Sequence, residues 1–122
     1  MRMFYMNGCR WYIREVEQEI IKKEIEERHK REMEIEPDKC GRYLGMTWHD
    51  TQEIYLDKEL PDDKKRKVLI HELTHCYIGC YMTHMTDKNY CEEDVCDIVS
   101  NSYDIIKNIV DGYFVVDNED VL

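Results

Sequence analysis

The five residues His71-Glu72-Leu73-Thr74-His75 constrain this chain more than any other stretch, because they set two imidazoles four residues apart inside a helix-forming run. On an α-helix, residues four apart stand on one face, so His71 and His75 can aim at a single point. That spacing suits two ligands of a tetrahedral Zn2+ ion, which takes imidazole nitrogen at roughly 2.0–2.1 Å. Glu72 is turned about 100° round the helix from His71. It stands beside such an ion and not on it, where a carboxylate serves as general base toward a water. Any helix can carry two histidines and a glutamate by chance, so the flanking residues must decide. Val68-Leu69-Ile70 lead into the motif, and Leu73 and Cys76 continue a buried stripe at helical spacing. The context favours a metal site, with one Zn2+ per chain.

A chain of 122 residues is read as one domain over 1–122, large enough for a modest core and too small for two. No apolar run approaches the roughly 18 residues that span a bilayer, so no membrane association is expected. The first six residues, Met-Arg-Met-Phe-Tyr-Met, are too soon interrupted for the apolar core of an export signal. A cytoplasmic protein is the expectation. On that footing the six cysteines, at positions 9, 40, 76, 80, 91 and 96, are reduced thiols, several of them small core residues. A net charge of −10 argues against direct nucleic-acid binding, which needs a positive face.

Along the chain, Asn7-Gly8 between residues 2–6 and 9–16 is a strong hairpin signal, because both central positions of a type I′ turn need positive φ. From Glu17 to about Arg31 the sequence is densely charged. Its i,i+4 pairs (Glu19/Lys23, Glu24/Arg28, Glu26/Lys30, Glu27/Arg31) have the acid N-terminal, the better orientation. Ile20, Ile21 and Ile25 form a narrow stripe, so this helix lies on the body with most of its surface in water. Met33-Glu34-Ile35 reads as a short strand or frayed helix closed by Pro37, and Asp38 to Gly41 as a loop holding the isolated Cys40. Tyr43–Trp48 and Gln52–Leu56 read as two strands around a His49-Asp50 turn, with Ile54 and Leu56 on one face. His49 is expected to be an exposed polar residue.

Pro61-Asp62-Asp63 opens the motif helix, since proline and acids both favour a first turn. The basic run Lys64-Lys65-Arg66-Lys67 follows, read mainly as solvated surface, with a substrate acid as the functional alternative. The helix is expected to end between Gly79 and Met82. After a connection containing His84, Asn89-Tyr90-Cys91-Glu92 matches a capping box with Asn89 as N-cap. The last helix then carries Val95, Ile98, Val99, Ile105, Ile106, Ile109 and Val110 toward the core and ends at Gly112. The acidic tail 117–122 is expected to be loose.

A catalytic zinc needs three protein ligands and an open position. Downstream candidates are His84, Cys91, Glu92, Glu93, Asp94 and Cys96. If Glu92 serves the cap, Glu93 is free. Cys96, Asp97 and Ser100 follow on its side of the helix, mostly small residues that would let the two helices approach. Glu93 is the choice on these local grounds.

Leu69-Ile70-His71-Glu72-Leu73-Thr74-His75, together with Glu93-Asp94-Val95-Cys96-Asp97-Ile98-Val99-Ser100, resembles the ImmA/IrrE family of metallo-endopeptidases. That family has H-E-L-x-H on one helix and E-x-x-A-(N/D)-x-F-A on the next. Glu93 falls on its third zinc ligand and Asp97 on its Asn/Asp, while Cys96, Val99 and Ser100 replace Ala, Phe and Ala. Gly45-Met46-Thr47 and Gln52 through Asp57 also resemble the strand pair before the zinc helix in compact members common in prophages of Gram-positive bacteria. The likeness covers about residues 43–110, more loosely 2–16, and the segment 17–36 has no counterpart. It implies an α+β, zincin-like fold: a small, mostly antiparallel sheet packed on the H-E-x-x-H helix and a C-terminal helix, with the charged N-terminal helix added. It implies a zinc-dependent endopeptidase with a narrow protein substrate. Relatives act on helix-turn-helix repressors of mobile elements, and this chain carries no such segment itself.

In that reading Glu72 is the catalytic base. Asp97 is a candidate to orient a ligating histidine from the adjacent helix. Tyr103, Tyr77 and His84 are the residue types available to donate to a developing oxyanion, with Tyr103 the first candidate. Two alternatives stand beside it. One is a non-catalytic, zinc-containing protein that sequesters a regulatory partner, for which a retained Glu72 has no use. The other is a four-thiolate metal site or a redox site built from Cys76, Cys80, Cys91 and Cys96, disfavoured because a five-residue step turns Cys91 and Cys96 apart.

Overall fold

A computed structural model describes residues 2–29, 41–83 and 89–115. The expectations for Met33–Ile35, Pro37, Cys40, His84 and the tail 117–122 lie outside the described residues. In chain order the elements are β1 (Arg2–Met6), β2 (Cys9–Val16), α1 (Gln18–His29), β3 (Gly45–Trp48), β4 (Glu53–Asp57), α2 (Asp62–Tyr81) and α3 (Glu92–Tyr113). This is an α+β fold.

The hairpin forms where expected. Asn7 and Gly8 take φ of 50° and 76°, and Met6 pairs with Cys9 across them. The turn also closes the far end of α2: Asn7 Nδ2 donates to the Cys80 carbonyl at 2.9 Å, and the Asn7 amide donates to Tyr81 Oη at 2.9 Å. The last carbonyls of a helix have no partner within it, so a side-chain amide there replaces water.

The four strands lie in the order β1-β2-β4-β3. β1–β2 and β3–β4 are antiparallel, but the central pair β2–β4 is parallel, with Ile13 opposite Ile54 and Glu15 opposite Leu56. The sheet is thus mixed. A parallel partner requires a crossover, and α1 lies within the connection from β2 to β4.

Alternation sorts the strand side chains onto two covered faces. Phe4, Met6, Trp11, Ile13, Ile54 and Leu56 join Leu69, Leu73 and Cys76 of α2 and Ile98, Ile106, Ile109 and Val110 of α3 in the main core. On the other face Val16, Trp48 and Tyr55 pack with Ile21 and Ile25 of α1. Ile54 and Leu56 do share a face, as expected, and Tyr55 and Asp57 are buried on the opposite one. Ile20 is 43% exposed, so the apolar stripe of α1 is narrower than the three isoleucines suggest. Arg28 extends it, donating from Nε to Glu24 Oε2 at 3.3 Å and stacking its guanidinium 4.2 Å over the Trp48 ring.

Asp57, wholly buried at the end of β4, ties the α1 side together. It accepts from Arg42, from Gln18 Nε2 at 2.9 Å and from the Glu59 amide at 2.9 Å. Gln18 in turn bonds both the amide and the carbonyl of Tyr43. Burial pushes the Asp57 carboxyl up, but Arg42 and these amides outweigh it and hold the group below its ordinary range.

Three expectations for α3 are corrected. The capping box uses Cys91 and Asp94, not Asn89 and Glu92: the Cys91 amide and thiol both meet Asp94 Oδ2, at 3.0 and 3.2 Å. A carboxylate at the third helical position closes the box here, and a thiol replaces the usual hydroxyl. Val95 and Val99 are 49% and 59% exposed, not buried. The small residue that lets α3 sit in the core is Ser102, not Cys96 or Ser100, which are exposed. Of the described cysteines only Cys76 is buried, Cys80 is half-buried and Cys9, Cys91 and Cys96 are exposed, all as free thiols. The core therefore takes up fewer thiols than expected.

Candidate functional site

α2 starts after Pro61, whose extended backbone (ψ 155°) turns the chain into the helix, with Asp62 and Asp63 in the first turn. Its buried side is Lys65, Val68, Leu69, Glu72, Leu73, Cys76 and Tyr77. Positions 71 and 75 fall outside that arc, so both histidines project from the body while Glu72 is drawn inward.

His71 Nε2 and His75 Nε2 stand 3.2 Å apart, with ring centroids at 4.9 Å and planes at 74°. Two nitrogens bound to one tetrahedral Zn2+ at about 2.0–2.1 Å would be roughly 3.3–3.4 Å apart. The pair matches that bite with little adjustment. The same separation also accommodates one N–H···N hydrogen bond between the rings, one imidazole donating.

Glu72 is 6% exposed. Thr47 Oγ1, reaching from β3, donates to Glu72 Oε1 at 2.8 Å, and also lies 3.2 Å from the Glu72 carbonyl. Burial raises the carboxyl above its ordinary value, and the Thr47 bond and the nearby His71 pull it only partly back. A carboxylate tuned upward is the kind that accepts a proton and later returns it. Neither Thr47 nor Gly45 was marked by sequence reasoning as part of a site. Being two apart on a strand, they share its α2-facing side. A Cβ at Gly45 would come 2.7 Å from Val68 Cγ1 and 3.2 Å from Glu72 Cγ, so only glycine lets β3 lie this close to α2. Their one sequence signal is the Gly-x-Thr spacing, which nothing local pairs with Glu72.

His71 and Glu72 line one cavity of about 370 Å3 with Gly45, Met46, Lys64 and Lys67. Tyr103 is elsewhere. It is 58% exposed and lines a separate groove between α2 and α3 with Arg66, Ile70 and Thr74, on the neighbouring flank of α2. Tyr77 is buried, tilted against Tyr81 with ring centroids 4.9 Å apart. His49 is exposed at its turn, as expected, edge-on to Trp11 at 5.6 Å.

Glu93 is exposed in the first turn of α3, and no hydrogen bond or ion pair among the described residues engages it. The buried Ser102 is nine residues further on, about 180° round the helix, so Glu93 faces away from the core side of α3. Asp97 is exposed too, its carbonyl accepting from Ser100 Oγ at 3.3 Å. Among the described residues no group of three or more His, Cys, Asp or Glu side chains is arranged to hold a metal ion. The donor set brought together is therefore two imidazoles beside a buried carboxylate. Also among the described residues, no helix is long and apolar enough to cross a membrane. Compared with protein-family models, with curated proteins and with solved structures, the chain gives no match.

Proposed function

We propose that this chain is a cytoplasmic zinc-dependent endopeptidase on a zincin-like fold, acting on a narrow protein substrate such as a helix-turn-helix repressor of a mobile element. One observation carries the reading: two imidazole nitrogens 3.2 Å apart on α2, with the buried, threonine-anchored carboxylate of Glu72 in the next position. The resemblance to ImmA/IrrE metallo-endopeptidases supplies the reaction class.

His71 and His75 would hold the ion, with Glu93 the third ligand that the resemblance implies. Because Glu93 lies on the outer side of α3 and forms no three-donor group with the pair among the described residues, its ligation requires the first turn of α3 to move relative to α2. When bound, zinc supplies Lewis acidity for a peptide carbonyl and a water. Glu72 takes a proton from the attacking water at Oε1 or Oε2 and delivers it to the departing amine nitrogen. Thr47 fixes the rotamer from which it does so, at the cost of one hydrogen bond already made. A protein that only sequesters its partner gives no reason to bury a carboxylate beside the imidazoles, so the enzyme is the preferred reading.

The test is Glu72→Gln, which keeps the size and the Thr47 contact but removes the base. Zinc-loaded wild type should cleave members of a mixed peptide library, read by mass spectrometry, and the variant should bind zinc equally yet cleave none. Equal cleavage by both would rule the enzyme out.

A further inference from the structure

Four bases follow one another at the start of α2, and they have different fates. Lys65 is buried against Glu15 Oε1 at 2.6 Å, and Arg66 meets Asp111 at 2.5 Å. Lys64 and Lys67 are exposed, and no ion pair among the described residues engages their ammonium groups. These two line the cavity of His71 and Glu72, and Arg42 stands at the same cavity, joined to the buried Asp57. In a chain of net charge −10, the space beside the paired imidazoles is bounded by cations.

Spacing makes this specific. Positions 64, 67 and 71 are three and four apart and form one stripe along α2, leading from Lys64 through Lys67 to His71. At 1.5 Å per residue, Lys67 stands about 6 Å and Lys64 about 10 Å from His71 along the helix. An extended peptide advances roughly 3.3 Å per residue. Because its side chains alternate between two faces, those two and four positions from a bond held at His71, about 7 and 13 Å along, would share the face toward α2 and come within reach of the two flexible lysine side chains.

We propose that the cavity selects an acidic peptide, with carboxylates about two and four residues to one side of the bond at the imidazole pair, and that Lys64 and Lys67 read them. This deepens the endopeptidase reading and rests on it. Elsewhere the acidic surface repels such a peptide, so the local cations set where it can settle and in which register. Both lysines are exposed, so their effect is modest singly and sensitive to salt.

The test is calorimetric titration of zinc-loaded Glu72→Gln protein, which leaves peptide intact, with three short peptides of one Ala/Gln background carrying Glu, Gln or Lys at both of two alternate positions, two apart (the Glu-Glu, Gln-Gln and Lys-Lys peptides). The Glu-Glu peptide should bind about tenfold more tightly than Gln-Gln at low salt, on up to about fivefold for each exposed ion pair. Adding K64E and K67E should abolish that preference and turn it toward Lys-Lys. Glutamates in the first turns of a helix complement its dipole, so this variant is expected to fold; K64Q with K67Q, losing the preference without reversal, checks the point. Equal affinity for the Glu-Glu and Gln-Gln peptides, no binding of either, or a preference unchanged by the lysine substitutions overturns the proposal. Failure of the endopeptidase reading would show separately, as library cleavage by wild type no faster than by Glu72→Gln, while these affinities are measured without turnover.

Discussion

Gly45 and Glu72 are in van der Waals register across the β3–α2 interface: a Cβ at position 45 would lie 3.2 Å from Glu72 Cγ and 2.7 Å from Val68 Cγ1. The missing side chain of one residue is the room in which the other's carboxylate turns toward Thr47. Gly45→Ala should therefore act on the site as well as on the fold. Overpacking of this kind costs about 1–3 kcal/mol. The expected result is a lowered denaturation midpoint together with cleavage reduced more than zinc content, measured on the same preparation. Unchanged cleavage at reduced stability would show that Glu72 does not depend on this contact.

Thr47→Val tests the other half of that arrangement. The substitution keeps the branched shape and removes the donor to Glu72 Oε1, leaving a buried carboxylate short of a partner. Losing such a bond costs about 1–3 kcal/mol. Turnover should fall with zinc content unchanged, and Thr47→Ser, which restores a hydroxyl, should recover most of it. A valine variant as active as wild type would mean that Thr47 serves only the strand.

Asp57 predicts how stability depends on pH. Its folded carboxyl is held below the ordinary value of 3.8. A group depressed by folding contributes stability that is fully present above its unfolded value and is lost as pH falls through its folded one. The contribution should be complete above about pH 4 and disappear below it. In Asp57→Asn the acid limb of the thermal midpoint should be flatter. At neutral pH the variant should be destabilised by about 1–3 kcal/mol, since the buried position loses the carboxylate that accepts from Arg42, Gln18 and the Glu59 amide. Parallel melting curves at neutral and acid pH measure both effects, and an acid limb as steep as wild type would remove Asp57 from the account.

What could be read from the sequence was what neighbours in the sequence decide. Asn7-Gly8 needs only its own backbone, and the hairpin follows with the expected strand ends. His71 and His75 need only a helical period, and they converge. The parallel β2–β4 pair, the burial of Tyr55 and Asp57 against α1, and the contact between Gly45, Thr47 and Glu72 join residues from separate elements, and no local pattern registers one against another. The face of α3 failed for a related reason. Val95, Val99 and Ile98 are equally apolar, and only the packing of Ile98 and Ser102 against α2 and the sheet decides which side turns in. The capping box misled similarly: Asn89 and Glu92 match the usual letters, whereas Cys91 and Asp94 make the bonds.

Metal content separates the parts of the site that converge from the part that does not. Wild-type protein is expected to hold one zinc per chain, measured by elemental analysis after dialysis. His71→Ala and His75→Ala should each lose it, because either change leaves one imidazole where the bite needs two. Glu93→Ala is the informative variant. If Glu93 is the third ligand, it must come round from the outer face of α3, and removing it should cut affinity strongly while leaving the metal-free melting curve unchanged. Zinc should then also raise the wild-type midpoint more than that of Glu93→Ala, because a ligand that binds only the folded chain stabilises it in proportion to its affinity. Full zinc retention by Glu93→Ala would assign the third position to another donor and remove the correspondence of α3 with the second ImmA/IrrE motif, while leaving His71, His75 and Glu72 as they stand.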